Sequence, residues 1–245
     1  QRRWVCYEDV SIFYILYISH FFSIVNRPLF NNQPMTIKKN IFFIAVFIAT
    51  VLALFINKLT TPRVLSTNEL LVNGLFMFEE PKKISDFSFY SANGVEFTKD
   101  DLQGKWTLMY FGFTNCPAEC PTTMYKIKEL INILRNKNFP LDDKQWVLVS
   151  IDPERDTPEE IDKYAKGFDE DFIGVSNIRP MLLSLATQLS VNNVMPSDDS
   201  MDHSHLDNHV NNIILLNPNG DFAGVFRPPF DISGLSLTYQ SVTVK

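Results

Sequence analysis

The run IFFIAVFIATVLALFI, from Ile41 to Ile56, has Thr50 as its one polar member. As a helix rising ~1.5 Å per residue it spans about 24 Å. That is a little short of a hydrocarbon core of about 30 Å, and Ile37 and Leu59 are placed to extend it. No small-x-small cleavage pattern follows in NKLTTPRVLS, so the run is expected to be an uncleaved membrane anchor rather than a signal peptide. Lys38 and Lys39 precede it, which places the N-terminus inside and everything after Ile56 outside. A second apolar stretch, Val10 to Val25, is broken by Ser11, Ser19, His20 and Ser23. Met35 then opens MTIKKN, which has the look of a native start with a charged leader. Residues 1–34 are therefore expected to be an upstream extension without functional role, Cys6 and His20 included.

Beyond the anchor, assigned to residues 35–59, and a linker over 60–79, the pattern predicts one folded domain from 80 to 245. Apolar and polar positions in PKKISDFSFYSANGVEF alternate about Asn93-Gly94, a strong hairpin signal. TLMYFGF, Thr107 to Phe113, is nearly continuously apolar and predicts a buried strand, with Gly112 allowing close backbone approach. From Pro121, PTTMYKIKELINILRNK puts Met124, Ile127, Leu130, Ile131 and Leu134 on one helical face. WVLVSI, Trp146 to Ile151, predicts the next strand. Thr157 then suits an N-cap, Pro158 the first helical position and Glu160 the return arm of a capping box, with Gly167 at the helix end. Asn177 is expected to cap the helix IRPMLLSLATQL. Residues 190–208 have no periodic face and read as a loop. IILLN, the turn PNG and DFAGVFR predict a terminal hairpin, and a closing helix is expected from about Asp231. Strand, helix, strand, helix, hairpin and helix, without internal repeat, describe an α/β layered domain with a mixed sheet.

Composition changes this picture little: 245 residues, 45% hydrophobic, suit one domain with an apolar appendage. The net charge of −6 is unevenly placed, since the N-terminal part is slightly basic and the body acidic. An acidic body argues against a nucleic-acid partner and agrees with cationic partners or metal ions. The cysteines number 3, too few for a disulfide-stapled miniature domain.

Two of them, Cys116 and Cys120, lie in FGFTNCPAECPTTM, where a buried strand gives way to a helix N-terminus. Four positions apart, their sulfurs come about one helical turn from each other on one side. A helix N-terminus favours negative charge, so Cys120 at least is expected to ionise more easily than an ordinary thiol. Flanking prolines and a helix mouth are costly to arrange for packing alone, which counts against two inert buried thiols. A dithiol redox pair usually has one residue fewer between its cysteines, although the spacing permits a disulfide. A metal site needs a third ligand, and outside the N-terminal extension the histidines are His203, His205 and His209. Thiolates with imidazole suit copper(I) and also zinc.

The stretches DLQGKWTLMYFGFTNCPAECPTTM, VLVSIDPERDTPEEIDKYAKGF and NHVNNIILLNPNGDFAGVFRPPFD, within about residues 80–239, resemble the Sco/SenC family of copper metallochaperones. The resemblance implies a thioredoxin-like three-layer α/β/α domain with a mixed sheet behind an N-terminal transmembrane helix. It implies copper as the bound ion and assembly of the binuclear copper site of cytochrome c oxidase as the role. The copper-bearing subunit of that enzyme, or another copper chaperone, is the implied partner. The domain would face the periplasm from the inner membrane, or the intermembrane space in a mitochondrion. The family's copper-binding cysteines fall on Cys116 and Cys120, and its histidine, a short strand before an LxxPxG-type turn, falls on His209. His203 lies too far from that turn. His203 and His205 belong either to a polar surface loop or, with Met195 and Met201, to a secondary copper-capturing loop. This chain departs from the family pattern at Ala118 and Glu119, between the cysteines, and at Asn208, before the histidine. Glu119 is expected to restore some negative charge beside a bound cation. Asp152, Glu154, Arg155 and Asp156 read either as a solvated loop or as a surface supporting the cysteines. The alternative function is a thiol-disulfide oxidoreductase that reduces the acceptor's cysteines without carrying metal. A peroxide-removing enzyme on a related scaffold is the third class considered.

Overall fold

The computed structural model describes residues 37–60, 64–191 and 211–244. The chain divides at Thr60 into two units. The first holds helix α1, Ile37–Thr60. Its stretch Lys39–Lys58 has a mean hydropathy of 2.4, so by length and composition it is able to cross a membrane. The polar flanks are helical along with the apolar run, which lengthens the helix to about 36 Å at ~1.5 Å per residue and lets Lys and Asn at both ends extend toward the headgroup region. Thr50 closes its own hydroxyl onto Val46 O at 2.9 Å, so the one polar side chain in the run needs no outside partner.

The second unit begins with a short helix, α2 (Thr67–Val72), capped by a Ser66–Glu69 capping box. Strand β1, Leu75–Lys82, follows. The stretch 60–79, expected as a linker, thus contributes a helix and the start of a strand. Leu65, Leu70 and Leu75 are buried in the core, and Leu65 N–H donates to Ser241 Oγ at 2.7 Å. The hairpin predicted about Asn93-Gly94 is present as β2 (Ser88–Tyr90) and β3 (Glu96–Thr98). Both turn residues have positive φ, 60° and 68°, the conformation these residue types tolerate best.

Strand β4 (Trp106–Gly112), helix α3 (Glu119–Asn136), strand β5 (Lys144–Ser150), helix α4 (Pro158–Lys166) and strand β6 (Phe172–Val175) come next in order. Helix α5 (Arg179–Gln188) follows, then β7 (Ile213–Leu216), β8 (Phe222–Phe226) and α6 (Ile232–Thr243). Six strands form one sheet in the order β1-β8-β7-β4-β5-β6. β4, β5 and β6 run parallel, joined through α3 and α4, whereas β7, β8 and β1 are antiparallel to their neighbours. Every residue of β5 is buried, as a strand covered on both faces must be. Helices α3 and α6 pack on one another, and α4 packs on β5 and β6.

Local chemistry explains most element ends. Thr157 and Glu160 exchange the bonds of a capping box, at 3.2 Å into the Thr157 hydroxyl and 3.0 Å into the Glu160 carboxylate. Pro158 opens α4, and Gly167 closes it. Asp231 caps α6 by accepting from Gly234 N–H at 2.8 Å. The cap expected at Asn177 is not formed. Its Nδ2 donates to Ser88 O and its Oδ1 accepts from Ile178 N–H, each at 2.6 Å, so the amide ties the β2 hairpin to the start of α5 instead. Ile178 occupies the cap position without a side-chain bond.

Candidate metal centre

The cysteine loop leaves β4 at Gly112 and enters α3 at Glu119, two residues before the Pro121 start expected from sequence. Ala118, at the cap position, has no side-chain oxygen to give. Cys116 supplies the missing acceptor: Cys120 N–H donates to Cys116 Sγ at 3.2 Å. Pro121 has no N–H, so the first turn of α3 has few open donors, and one of them faces sulfur. Both cysteines are in the thiol state. Cys120 is fully buried and Cys116 half-buried, so the pair is open to solvent from the Cys116 side.

The expected ease of ionisation of Cys120 is not found. Its hydrogen bond with the Cys116 side chain, and then its burial, raise the thiol above the ordinary range. The helix end does not offset a site where the neighbour is another sulfur and water is excluded. The backbone at Phe113 acts in the opposite direction by hydrogen bonding to the same sulfur, and the Tyr110 hydroxyl, which donates to Asn211, lies beside it. Burial likewise pushes Tyr164 up to about 12, with the two cysteine sulfurs adding to the effect, so this side chain of α4 lies beside the pair. Gly112 makes room from below. A Cβ there would stand 3.2 Å from Cys120 Sγ and 3.0 Å from Tyr110 Cε1.

The charged loop after β5 divides, with Asp156 turned inward to support the cysteine loop and Glu154 and Arg155 exposed. Asp156 is buried and accepts from Thr114 N–H at 3.1 Å, from the Thr114 hydroxyl and from the Ser150 hydroxyl at 2.8 Å. It therefore pins the loop that carries Cys116 to the end of β5. Asp152 pairs with Arg155, and Glu154 accepts from Arg179 Nε at 2.8 Å on α5. Glu119 is exposed, and one oxygen of its carboxylate accepts from Asn211 Nδ2. Asn211 Oδ1 in turn accepts from the Tyr110 hydroxyl at 2.9 Å. An open groove of about 360 Å³ runs past these groups, bordered by Glu119, Thr123, Lys126, Asn211, Pro229 and Phe230. Asn211 and Thr114 lie within the stretches that carry the family resemblance, but no local pattern shows their roles, since their partners are distant along the chain.

His203, His205 and His209 lie outside the described residues, as do Met195, Met201 and Asn208. Among the described residues, no group of three metal-binding side chains forms. Two cysteine side chains hydrogen-bonded to one another at a helix mouth are a soft, compact donor pair, which fits copper(I) or zinc and has the proximity a disulfide needs.

Comparison with known proteins agrees with this geometry. The family model SCO1/SenC matches residues 77–237. An SCO2-like protein of Rickettsia felis is 33% identical over 147 residues, 60% of this chain and 70% of that one. Apo Sco1 of Thermus thermophilus superposes with a TM-score of 0.56 at 26% identity, covering 68% of this chain and 94% of that structure. ScoI of Arabidopsis thaliana, solved with copper bound, superposes with a TM-score of 0.55 at 28% identity, covering 65% and 98%. The strand order, the cysteine loop between β4 and α3, and a family model spanning most of the domain lead to one assignment: the chain belongs to the SCO1/SenC family.

Proposed function

We propose that this protein is a membrane-anchored copper chaperone that holds copper through Cys116, Cys120 and His209 and passes it to the binuclear copper site of cytochrome c oxidase. The observation that carries the proposal is the pair of cysteines at the mouth of α3, with Cys120 N–H on Cys116 Sγ at 3.2 Å and the two side chains hydrogen-bonded, a soft donor set of the kind copper(I) prefers. The copper-bound relative of the same fold supports it. His209 is supported by its spacing in the sequence, a short strand before the LxxPxG-type turn at Pro218, where the family's histidine falls. Helix α1 supplies the anchor, and Lys38 and Lys39 before its apolar run favour a domain on the periplasmic or intermembrane-space side.

Delivery proceeds by ligand exchange, in which the acceptor's ligands replace Cys116 and Cys120 one at a time. Both thiols lose their protons on binding, so loading weakens as pH falls, the more so because the Cys120 thiol is raised in the metal-free chain. Oxidation of the two copper-bound thiolates to a disulfide, with two electrons passing to a thiol oxidant or to the acceptor's own disulfide, which takes its two protons from solvent, releases the ion and empties the site. The same step is the whole activity under the second reading, a thiol-disulfide oxidoreductase without metal, which the hydrogen bond between the two side chains also favours. Metal content and thiol titration of the purified chain separate the two. One copper per chain, lost on oxidation and sharply weakened by His209→Ala, is the expected result. A metal-free, redox-active protein, or unchanged copper affinity in His209→Ala, would overturn the chaperone assignment.

A further inference from the structure

The side chain of Asn211 is bonded at both ends, and its two partners fix which way the amide points. The Tyr110 hydroxyl donates to Oδ1 at 2.9 Å, and Nδ2 donates to the Glu119 carboxylate. A carboxylate only accepts, and turning the amide over would face oxygen to oxygen at Glu119, so one orientation is selected. Three separate pieces of chain meet at this one side chain. Tyr110 comes from β4, Glu119 opens α3 between the two cysteines, and Asn211 stands at the entry to β7. A second observation places the tyrosine arm at the metal ligand itself. The point beside Gly112 where a Cβ would sit lies 3.0 Å from the Tyr110 ring and 3.2 Å from Cys120 Sγ, so ring edge and sulfur crowd the same spot.

We propose that Asn211 is a positioning residue, an amide clamp that holds the mouth of α3, the Tyr110 ring and the entry to β7 at fixed separation around Cys120, with Glu119 as its second jaw. The inference rests on the copper reading above and adds a role for two residues which touch no metal. The clamp gives the glutamate between the cysteines a fixed partner, since one oxygen of its carboxylate is held at the β7 entry. Opening the clamp frees the helix mouth to move relative to the rest of the site, and copper then escapes faster.

A swap of the two jaws tests this on the full chain. Asn211→Asp keeps the acceptor for Tyr110 but sets a carboxylate against Glu119. Adding Glu119→Gln to it restores a donor and acceptor in reversed order. Asn211→Asp is expected to release copper to a copper(I)-binding chromophoric chelator about 10- to 100-fold faster than wild type, the usual loss when an outer partner of a metal ligand is removed. The double variant is expected to return to the wild-type rate, while melting temperatures measured alongside stay together. A merely structural role for Asn211 would move the melting temperature rather than produce a rate rescued by the swap. Wild-type release from Asn211→Asp, or a double variant as fast as the single one, overturns the clamp. A wild-type chain that takes up no copper overturns the chaperone reading, and the clamp with it.

Discussion

Asp156 offers a sharp test of how the cysteine loop is held. It is fully buried, yet its three donors are an N–H and two hydroxyls, with no cation against the carboxylate among the described residues. Burial raises its pKa above the ordinary carboxylate value, against the pull of Thr114 and Ser150. Asp156→Ala removes the acceptor. A hydrogen bond to a charged group contributes about 1.5–3 kcal/mol net, but the two hydroxyls can turn to other acceptors and the buried charge disappears, so the loss is about 2–4 kcal/mol. For a domain of this size each kcal/mol moves Tm by about 2–4 °C, giving a drop of roughly 5–15 °C. Asp156→Asn is different. Its oxygen can still accept from Thr114 N–H and Ser150, its NH2 can donate to the Thr114 hydroxyl, and no charge remains to be desolvated. Asp156→Asn is therefore expected to match or exceed wild type at neutral pH. A raised folded pKa means the folded chain keeps a proton that the unfolded chain has released, so wild-type stability relative to Asp156→Asn falls as pH rises through that window. Its advantage is full only below the ordinary carboxylate range. Urea melts of the three proteins across acid to neutral pH read this directly. If Asp156→Asn is as unstable as Asp156→Ala at neutral pH, or if wild type gains on Asp156→Asn with rising pH, the burial argument is wrong.

Two glycine substitutions probe the sheet at its closest approaches. Gly112→Ala sets a methyl within 3.0–3.3 Å of Tyr110 Cε1, Cys120 Sγ and Leu148 Cδ1. All three neighbours are buried, so the expected cost is about 1–3 kcal/mol by urea melting, with slower disulfide closure as the Cys120 sulfur is displaced. Unchanged stability and closure rate would show that the sulfur does not rest there. Gly174→Ala is harsher, because its Cβ would lie 2.3 Å from Ile161 O and 2.5 Å from Asp162 Cα, main-chain atoms of α4 that cannot turn aside. A loss of at least about 3 kcal/mol, or failure to fold, is expected in the same assay, and near-wild-type melting would contradict the tight seating of α4 on β6.

Much of the fold was legible because its signals are local. The capping box at Thr157, the Asn93-Gly94 turn, the apolar runs of β4 and β5 and the helical face of α3 each follow from residues a few positions apart. What escaped was decided across the chain. β1 alternates poorly and carries Pro81, features tolerated because it lies at the sheet edge, where one side of its ladder goes unpaired. The early start of α3 depends on a sulfur serving as cap, for which residue propensities contain no rule. The loop from Asp152 to Asp156 left two readings open, solvated or supporting the cysteines, and only Thr114 and Ser150, brought over by β4 and β5, turn Asp156 inward.

The sequence by itself determined that two thiols stand at a helix mouth after a buried strand, and that an apolar segment precedes the domain. Both follow from residue type and short-range spacing, which are properties of the chain before it folds. Tertiary structure decided the state of those thiols: Cys120 is buried and raised rather than easily ionised, and Tyr110, Asp156, Glu119 and Asn211 surround the loop. Desolvation and long-range hydrogen bonds exist only once β4, β5 and β7 lie side by side. The character of the site is therefore set by packing, while its ligands are set by spacing.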